Sequence, residues 1–256
     1  MGNFQNNETV PIPAWKRTLD VVLIVLTLPL WLPLAVLIAV LIRLVSTGPI
    51  LFRQERIGYL GNRFMCLKFR TMRVGADTVV HQGHLKHLMV SNVPMEKMDS
   101  RGDSRIIPLG TLLRASGLDE LPQLINVLRG EMSLVGPRPC VPYEYENYLP
   151  WQKERFATLP GLTGLWQVSG KNKTTFVEMI QLDIKYTRDK TFWLDLAIML
   201  RTFPALLIQM FGIWRRRGGF LRVKAPGKQI PATNLELCPL PGTNLAGHSR
   251  SEGKNA

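Results

Sequence analysis

Two adjacent carboxylates, Asp119 and Glu120, stand in the stretch Gly117-Leu118-Asp119-Glu120-Leu121-Pro122-Gln123-Leu124. Arg114 lies a short segment upstream, and Arg138 follows in Gly136-Pro137-Arg138-Pro139. A carboxylate nucleophile beside guanidinium groups that match phosphate oxygens is the equipment for phosphoryl transfer through an acyl phosphate. On spacing alone the same acids are ordinary first-turn capping chemistry. Pro122 has no backbone N–H and is comfortable only in a helix's first turn, so a helix is predicted from about Asp119. Leu121, Leu124, Ile125 and Leu128 recur at helical spacing and mark its buried face. The acids then sit among unpaired N–H groups at the positive end of the dipole, which keeps Asp119 ionised and favours phosphate nearby.

Other cations stand where phosphate could be met. In Phe64-Met65-Cys66-Leu67-Lys68-Phe69-Arg70, Lys68 and Arg70 alternate with apolar residues, so a strand would turn both to one side. That side is either a phosphate-facing basic surface or a solvated strand face. Two prolines bracket Arg138 and stiffen its backbone, which suits a preorganised anion contact and equally a structural loop with an exposed arginine. His81, His84 and His87 share a spacing of three within the polar, irregular stretch 75–103, but only Asp77 lies near them as a possible ligand. That stretch reads as a surface excursion without a metal site.

The elements that must position these groups begin with a membrane segment. Residues 21–42 are almost continuously apolar and long enough to cross a bilayer core. Pro29 and Pro33 fall in the middle, and both flanks are basic: Lys16 and Arg17 before, Arg43, Arg53 and Arg56 after. Basic flanks prefer the cytoplasmic side, so charge at both ends argues for a re-entrant helix that breaks at Pro33 and returns. The alternative is an ordinary transmembrane helix with a proline kink. Residues 1–15 are polar, without the pattern of a secretory signal, and read as a flexible tail.

The rest divides into short elements. Strands are predicted at residues 50–52 and 64–70, with turns at Gly58 and Gly61. Tyr143, Tyr145, Tyr148 and Trp151 suit either a membrane interface or the core. Residues 160–170 are glycine-punctuated and read as turn and strand; Thr175 and Glu178 form a capping box opening a helix to about Arg188, with Asp183 and Tyr186 on one face. The last apolar run, 192–214, carries Asp195, Arg201 and Gln209 and is interrupted by Pro204. Charges at those depths are expensive in lipid, so two interfacial amphipathic helices are expected, anchored by Trp193, Trp214 and Arg215-Arg216-Arg217. From about residue 223 the chain is Pro/Gly/Asn-rich and reads as a tail.

Composition narrows the partners. The formal net charge is +13 over 256 residues, with pI near 10.1. Such a balance fits nucleic acid, an anionic membrane or a phosphorylated substrate. No zinc-finger spacing, basic-zipper pattern or RNA-binding aromatic signature supports nucleic acid. Cys66, Cys140 and Cys238 lie far apart, which points to unpaired thiols in a reducing compartment.

Taken together the motifs resemble the bacterial sugar transferases, the monotopic polyprenyl-phosphate phosphoglycosyl transferases. The resemblance runs from about Lys16 to Met210. It is carried by Lys16-Arg17-Thr18-Leu19-Asp20, Gly48-Pro49-Ile50-Leu51-Phe52, Lys68-Phe69-Arg70-Thr71-Met72, Leu118 to Leu124, Val135-Gly136-Pro137-Arg138-Pro139, Pro160-Gly161-Leu162-Thr163-Gly164, and Asp183 with Tyr186. It implies a mixed α/β, mostly helical fold: a re-entrant membrane helix-break-helix over residues 16–45, and a cytosolic catalytic domain with interfacial amphipathic helices and a small sheet over 46–222. It implies transfer of a sugar-1-phosphate from a nucleoside-diphosphate sugar, a UDP-sugar, to polyprenyl (undecaprenyl) phosphate, at the cytoplasmic face of the bacterial inner membrane. Asp119 matches the family's nucleophile and Glu120 its acidic partner, with Mg2+ as cofactor at these two carboxylates. Arg114 and Arg138 match phosphate contacts, Lys68 and Arg70 are candidates for the same role, and Pro33 falls at the membrane break, preceded here by Leu32 where the family often has Ser. The competing function is a membrane-anchored, non-enzymatic protein that binds anionic lipid; it explains the charge but not the paired acids.

Overall fold

The computed structural model of the chain describes residues 11–73, 89, 105–170 and 174–204. Its longest apolar run builds its longest element, helix α1, Ala14–Val45. At about 1.5 Å per residue this helix is about 48 Å long, and by length and composition it is able to cross a membrane. Pro29 and Pro33 both lie inside it. The break predicted at Pro33 is therefore not an end of helix: each proline deletes one backbone bond, and the flanking turns carry the helix past it. Side chains cover backbone in the same region, Thr27 Oγ1 donating to Leu23 O at 2.6 Å and Trp31 Nε1 to Ile24 O at 3.1 Å.

One face of α1 is packed and the other is bare. Lys16, Asp20, Ile24, Ile38 and Ile42 are buried, whereas Leu26, Leu30, Val36, Leu37 and Leu44 are more than half exposed. Fully burying such a side chain is worth about 1.5–3 kcal/mol, so the bare face calls for an apolar phase. Ile24 packs with Leu124, Val127 and Met132, while Ile38 and Ile42 pack with Phe69, Ile107 and Leu113. Both halves of α1 thus rest on the same body. Leu121 packs against both clusters.

The predicted hairpin forms. Strands β1 (Leu51–Ile57) and β2 (Arg63–Phe69) pair antiparallel, Leu51 opposite Phe69 and Ile57 opposite Arg63. Helix α2 (Gly110–Ser116) follows, then a 3-10 turn at Leu118–Glu120 and helix α3 (Gln123–Leu128). The start of α3 corrects the expectation: its first turn holds no acid, and Asp119 and Glu120 belong to the separate 3-10 turn before it. Pro122 is the reason. It has no N–H for the Leu118 carbonyl, which instead accepts from Leu121 N in the tighter pattern.

A second sheet pairs β3 (Ser133–Val135) in parallel with β4 (Gly161–Thr163), so two two-stranded sheets replace the single small sheet expected. Their backbones meet beyond β3 so closely that a Cβ on Gly161 would stand 2.0 Å from Gly136 N, a contact only glycine permits. Further elements among the described residues are a 3-10 turn Tyr59–Gly61 between β1 and β2, α4 (Pro142–Glu146), a 3-10 segment Pro150–Phe156, α5 (Leu165–Val168), α6 (Phe176–Asp189) and α7 (192–204). Helix α6 opens on the predicted capping box: Glu178 N donates to Thr175 Oγ1 at 3.3 Å and Thr175 N to Glu178 Oε2 at 2.8 Å. Its inner face (Phe176, Met179, Ile180, Ile184) packs on Ile57, Cys140, Tyr148 and Phe156.

Helix α7 stands where the first of the two amphipathic helices was expected. It buries Ile198 against Val135 and Tyr186 and leaves Trp193, Leu200 and Phe203 largely exposed. The second of those helices, the Arg215-Arg216-Arg217 anchor, the tail from 223, the histidines of 75–103 and residues 1–10 of the N-terminal tail lie outside the described residues.

Candidate active site

Gly117 ends α2 in the left-handed conformation, φ +73°, and turns the chain into the acidic 3-10 turn. Glu120 N donates to Gly117 O at 3.0 Å and closes that turn, leaving Asp119 and Glu120 half-buried. Lys68 reaches across from β2, its Nζ 2.7 Å from Glu120 Oε1. The two meet because Asn126 stitches α3 to β2. Asn126 is fully buried; its Oδ1 accepts from Leu67 N at 3.0 Å, and its Nδ2 donates to Met65 O at 2.8 Å and Glu131 Oε2 at 2.6 Å. One amide side chain thus takes up β2's unpaired edge as a neighbouring strand would.

The loop carrying Arg138 is held by its carbonyls. Val135 O accepts from Lys16 Nζ at 2.8 Å, with Tyr186 OH 3.1 Å away. Pro137 O accepts from Gly161 N at 2.8 Å, Arg138 O from Arg155 Nη2 at 2.8 Å, Pro139 O from Arg56 Nη1 at 3.0 Å and Cys140 O from Ile57 N at 2.9 Å. The Arg138 side chain remains 29% exposed, with Nη1 4.0 Å from the buried Glu144 carboxylate.

Beneath this loop lie two buried ion pairs. Arg155 Nη2 bonds Asp183 Oδ2, and Nη1 donates to Tyr148 OH at 2.7 Å. Burial pushes Asp183 up to about 6, against the pull of the Arg155 guanidinium. In the second, Lys16 Nζ pairs with Asp195 Oδ2 at 2.6 Å and donates to Tyr186 OH at 2.8 Å, while Tyr186 OH donates to Asp195 Oδ1 at 2.6 Å. Burial and the Asp195 carboxylate hold the Tyr186 phenol far above its ordinary range, so it stays protonated. Asp20, one turn along α1, accepts from Leu134 N at 3.0 Å. The polar start of α1 is therefore bonded to β3 at Leu134 N and Val135 O.

Of the residues singled out in the sequence, Glu120 and Lys68 are brought into contact, with Asp119 next to them on the same turn. Arg114 is half-buried in the last turn of α2. Arg70 is 4% exposed, and its Nε and Nη2 donate to Pro49 O at 2.6 Å and Ser46 O at 3.2 Å, tying β2 to the chain leaving α1. Tyr148 belongs to the core, whereas Trp151 is partly exposed. Sequence reasoning missed Asn126, Arg56, Glu144 and the partners of Lys16 and Asp183. Among the described residues no three His, Cys, Asp or Glu side chains converge as a metal cage. Asp119 and Glu120 are hard oxygen donors, and two carboxylates suffice for an ion that keeps waters and takes substrate phosphates as its other ligands, as Mg2+ does.

With this geometry in place, comparison with known proteins identifies the class. Residues 12–209 match the model of the bacterial sugar transferase family, and the chain belongs to that family of transferases. It is 43% identical over 206 residues to the UDP-glucose:undecaprenyl-phosphate glucose-1-phosphate transferase of Caulobacter vibrioides, covering 77% of this chain and 72% of the relative. It is 37% identical over 193 residues to the exopolysaccharide production protein ExoY of Sinorhizobium fredii, covering 75% and 85%. Against the galactosyl transferase CpsE of Streptococcus agalactiae serotype III it is 43% identical over 165 residues, covering 63% of this chain and 35% of that longer protein. Membership of a transferase family sets aside the non-enzymatic lipid-binding reading.

Proposed function

We propose that this chain transfers a sugar-1-phosphate from a UDP-sugar to polyprenyl phosphate, undecaprenyl phosphate being the acceptor in the name of the Caulobacter relative, as a membrane step of exopolysaccharide assembly, for which the Sinorhizobium relative is named. A carboxylate oxygen of Asp119 attacks the phosphorus attached to the sugar. The bond from that phosphorus to the bridging oxygen breaks, and uridine monophosphate leaves with the electron pair. A phosphate oxygen of the lipid then attacks the aspartyl-phosphosugar, the acyl-phosphate bond breaks, and Asp119 is restored as a carboxylate. Glu120, held by Lys68, stands next to the nucleophile to assist the second attack. Arg114 and Arg138 bind phosphate oxygens. Mg2+ held by Asp119 and Glu120 would supply charge neutralisation for the pyrophosphate.

The observation that carries this reading is the seating of the acidic turn. Asp119 and Glu120 are half-buried beside Lys68, and the next residue, Leu121, packs on both clusters that hold the two halves of α1. A water-soluble nucleotide and a lipid phosphate are then reachable from one place. With both halves of α1 on one body, the helix serves best as a re-entrant element that enters and leaves the cytoplasmic leaflet of the inner membrane. Incubating purified protein with UDP-glucose or UDP-galactose radiolabelled in the sugar tests the chemistry. Wild type should retain hydroxylamine-labile label and lose it to polyprenyl phosphate; Asp119→Asn should retain none. Labelling of Asp119→Asn at the wild-type level would refute the assignment.

A further inference from the structure

Arg155 is 1% exposed, comes from a 3-10 segment far from the acidic turn in sequence, and has no place in the chemistry above. Its guanidinium nevertheless joins three acceptors: Tyr148 OH, Asp183 Oδ2 and the main-chain carbonyl of Arg138. The rings of Tyr148 and Phe156 flank it, with centroids 5.7 and 5.6 Å from its central carbon. A buried ion pair of this kind is a poor device for stability, because desolvating both charges offsets most of their attraction. What a guanidinium offers beyond charge is a rigid planar fork that fixes several acceptors in one geometry.

We propose that Arg155, locked by Asp183 and Tyr148, is a positioning residue for the transferase site. It fixes the Arg138 carbonyl and so sets where the Arg138 guanidinium meets a phosphate of the nucleotide-sugar donor. Arg56 does the same one residue on, at Pro139 O, and Glu144 lies 4.0 Å from the Arg138 side chain. Arg138 is therefore held at its backbone by one buried cation and faced at its tip by a buried carboxylate. This inference rests on the reading of Arg138 as a phosphate contact.

A double-mutant cycle on the full chain tests both and separates them. Steady-state kinetics with polyprenyl phosphate and whichever of UDP-glucose and UDP-galactose wild type uses are measured for Arg138→Ala, Arg155→Lys and the double variant. Lysine keeps the charge for Asp183 but cannot reach three acceptors in one plane. Arg155→Lys should raise KM for the donor about tenfold while kcat changes less than about threefold, and the double variant should be no worse than Arg138→Ala alone. If the two substitutions multiply in KM, Arg155 acts on the fold alone and the positioning role is overturned. If Arg138→Ala leaves KM unchanged, the phosphate-contact reading itself fails and the positioning role falls with it. Should Arg155→Lys not purify folded, Tyr148→Phe removes one acceptor of the fork, keeps the ring, and enters the same cycle with the same expected coupling.

Discussion

Lys68 Nζ stands 2.7 Å from Glu120 Oε1, joining the β hairpin to the acidic turn across the site. Both side chains are about one-third exposed, 27% and 34%. A pair that accessible contributes only about 0–1 kcal/mol to stability. In the proposed mechanism its use is directional: the lysine would orient the carboxylate beside Asp119. Lys68→Met should thus leave the melting temperature within a few degrees of wild type while lowering kcat about 10²-fold, the scale of a misplaced general acid or base. Lys68→Arg, which can still reach the carboxylate, should retain more activity than Lys68→Met. Thermal melts and transfer assays on the same preparations decide it, and full activity in Lys68→Met would show that the contact does not matter to turnover.

Asn126 is where the opposite balance is expected, with stability lost first. It is completely buried and satisfies Met65 O, Leu67 N and Glu131 together. Replacing it with alanine leaves these groups without that partner, at about 1–3 kcal/mol for each buried group left unsatisfied. Asn126→Ala should lower the denaturant midpoint by an amount equivalent to about 3 kcal/mol, and Asn126→Leu should rescue little because shape is not what is missing. Retention of the wild-type midpoint would mean that β2 and α3 are held by packing alone.

The difference between these two sites explains what the sequence could disclose. The hairpin was readable because its glycines and alternating side chains are local signals, and the α6 capping box because both of its members sit three residues apart. The start of α3 lies a few residues beyond the position its sequence suggests, since Pro122 marks a helix start without saying whether a 3-10 turn precedes it. Lys68 and Arg70 looked equivalent on a strand. Only the fold separates them, one facing Glu120 and the other turned onto the carbonyls of Ser46 and Pro49. Arg155 lies in a segment with no period, and Asp195 looked simply like a charge that lipid would reject. Its partner Lys16 lies 179 residues away, and no local pattern carries that information.

The Lys16–Asp195 pair leads to a further prediction. Both groups are essentially unexposed, 0% and 1%, and Tyr186 completes the triangle. Removing one partner of a buried pair strands the other charge, at about 3–5 kcal/mol, whereas removing both with apolar residues of similar volume is often close to neutral. Lys16→Met and Asp195→Leu should each destabilise strongly, and the double substitution should recover much of the loss. Denaturation midpoints of the three variants in detergent measure it. Additive losses would show that the two residues do not depend on each other.

The same pair bears on how α1 meets the membrane. Its N-terminal end is tied to the body through Lys16 and Asp20, and the chain leaving its C-terminal end is tied to the same body through Arg70 at Ser46 O and Pro49 O. A crossing helix would need about 30 Å of hydrocarbon between these polar contacts, which would immerse the charged acidic turn packed between them. A re-entrant helix avoids that cost, since only its bare leucine face enters lipid. In a variant lacking the native cysteines, Pro11→Cys and Thr47→Cys should both resist a membrane-impermeant maleimide in spheroplasts, and both should react in inside-out vesicles. Labelling of one position in spheroplasts and the other in inside-out vesicles would establish a true crossing and end the re-entrant reading.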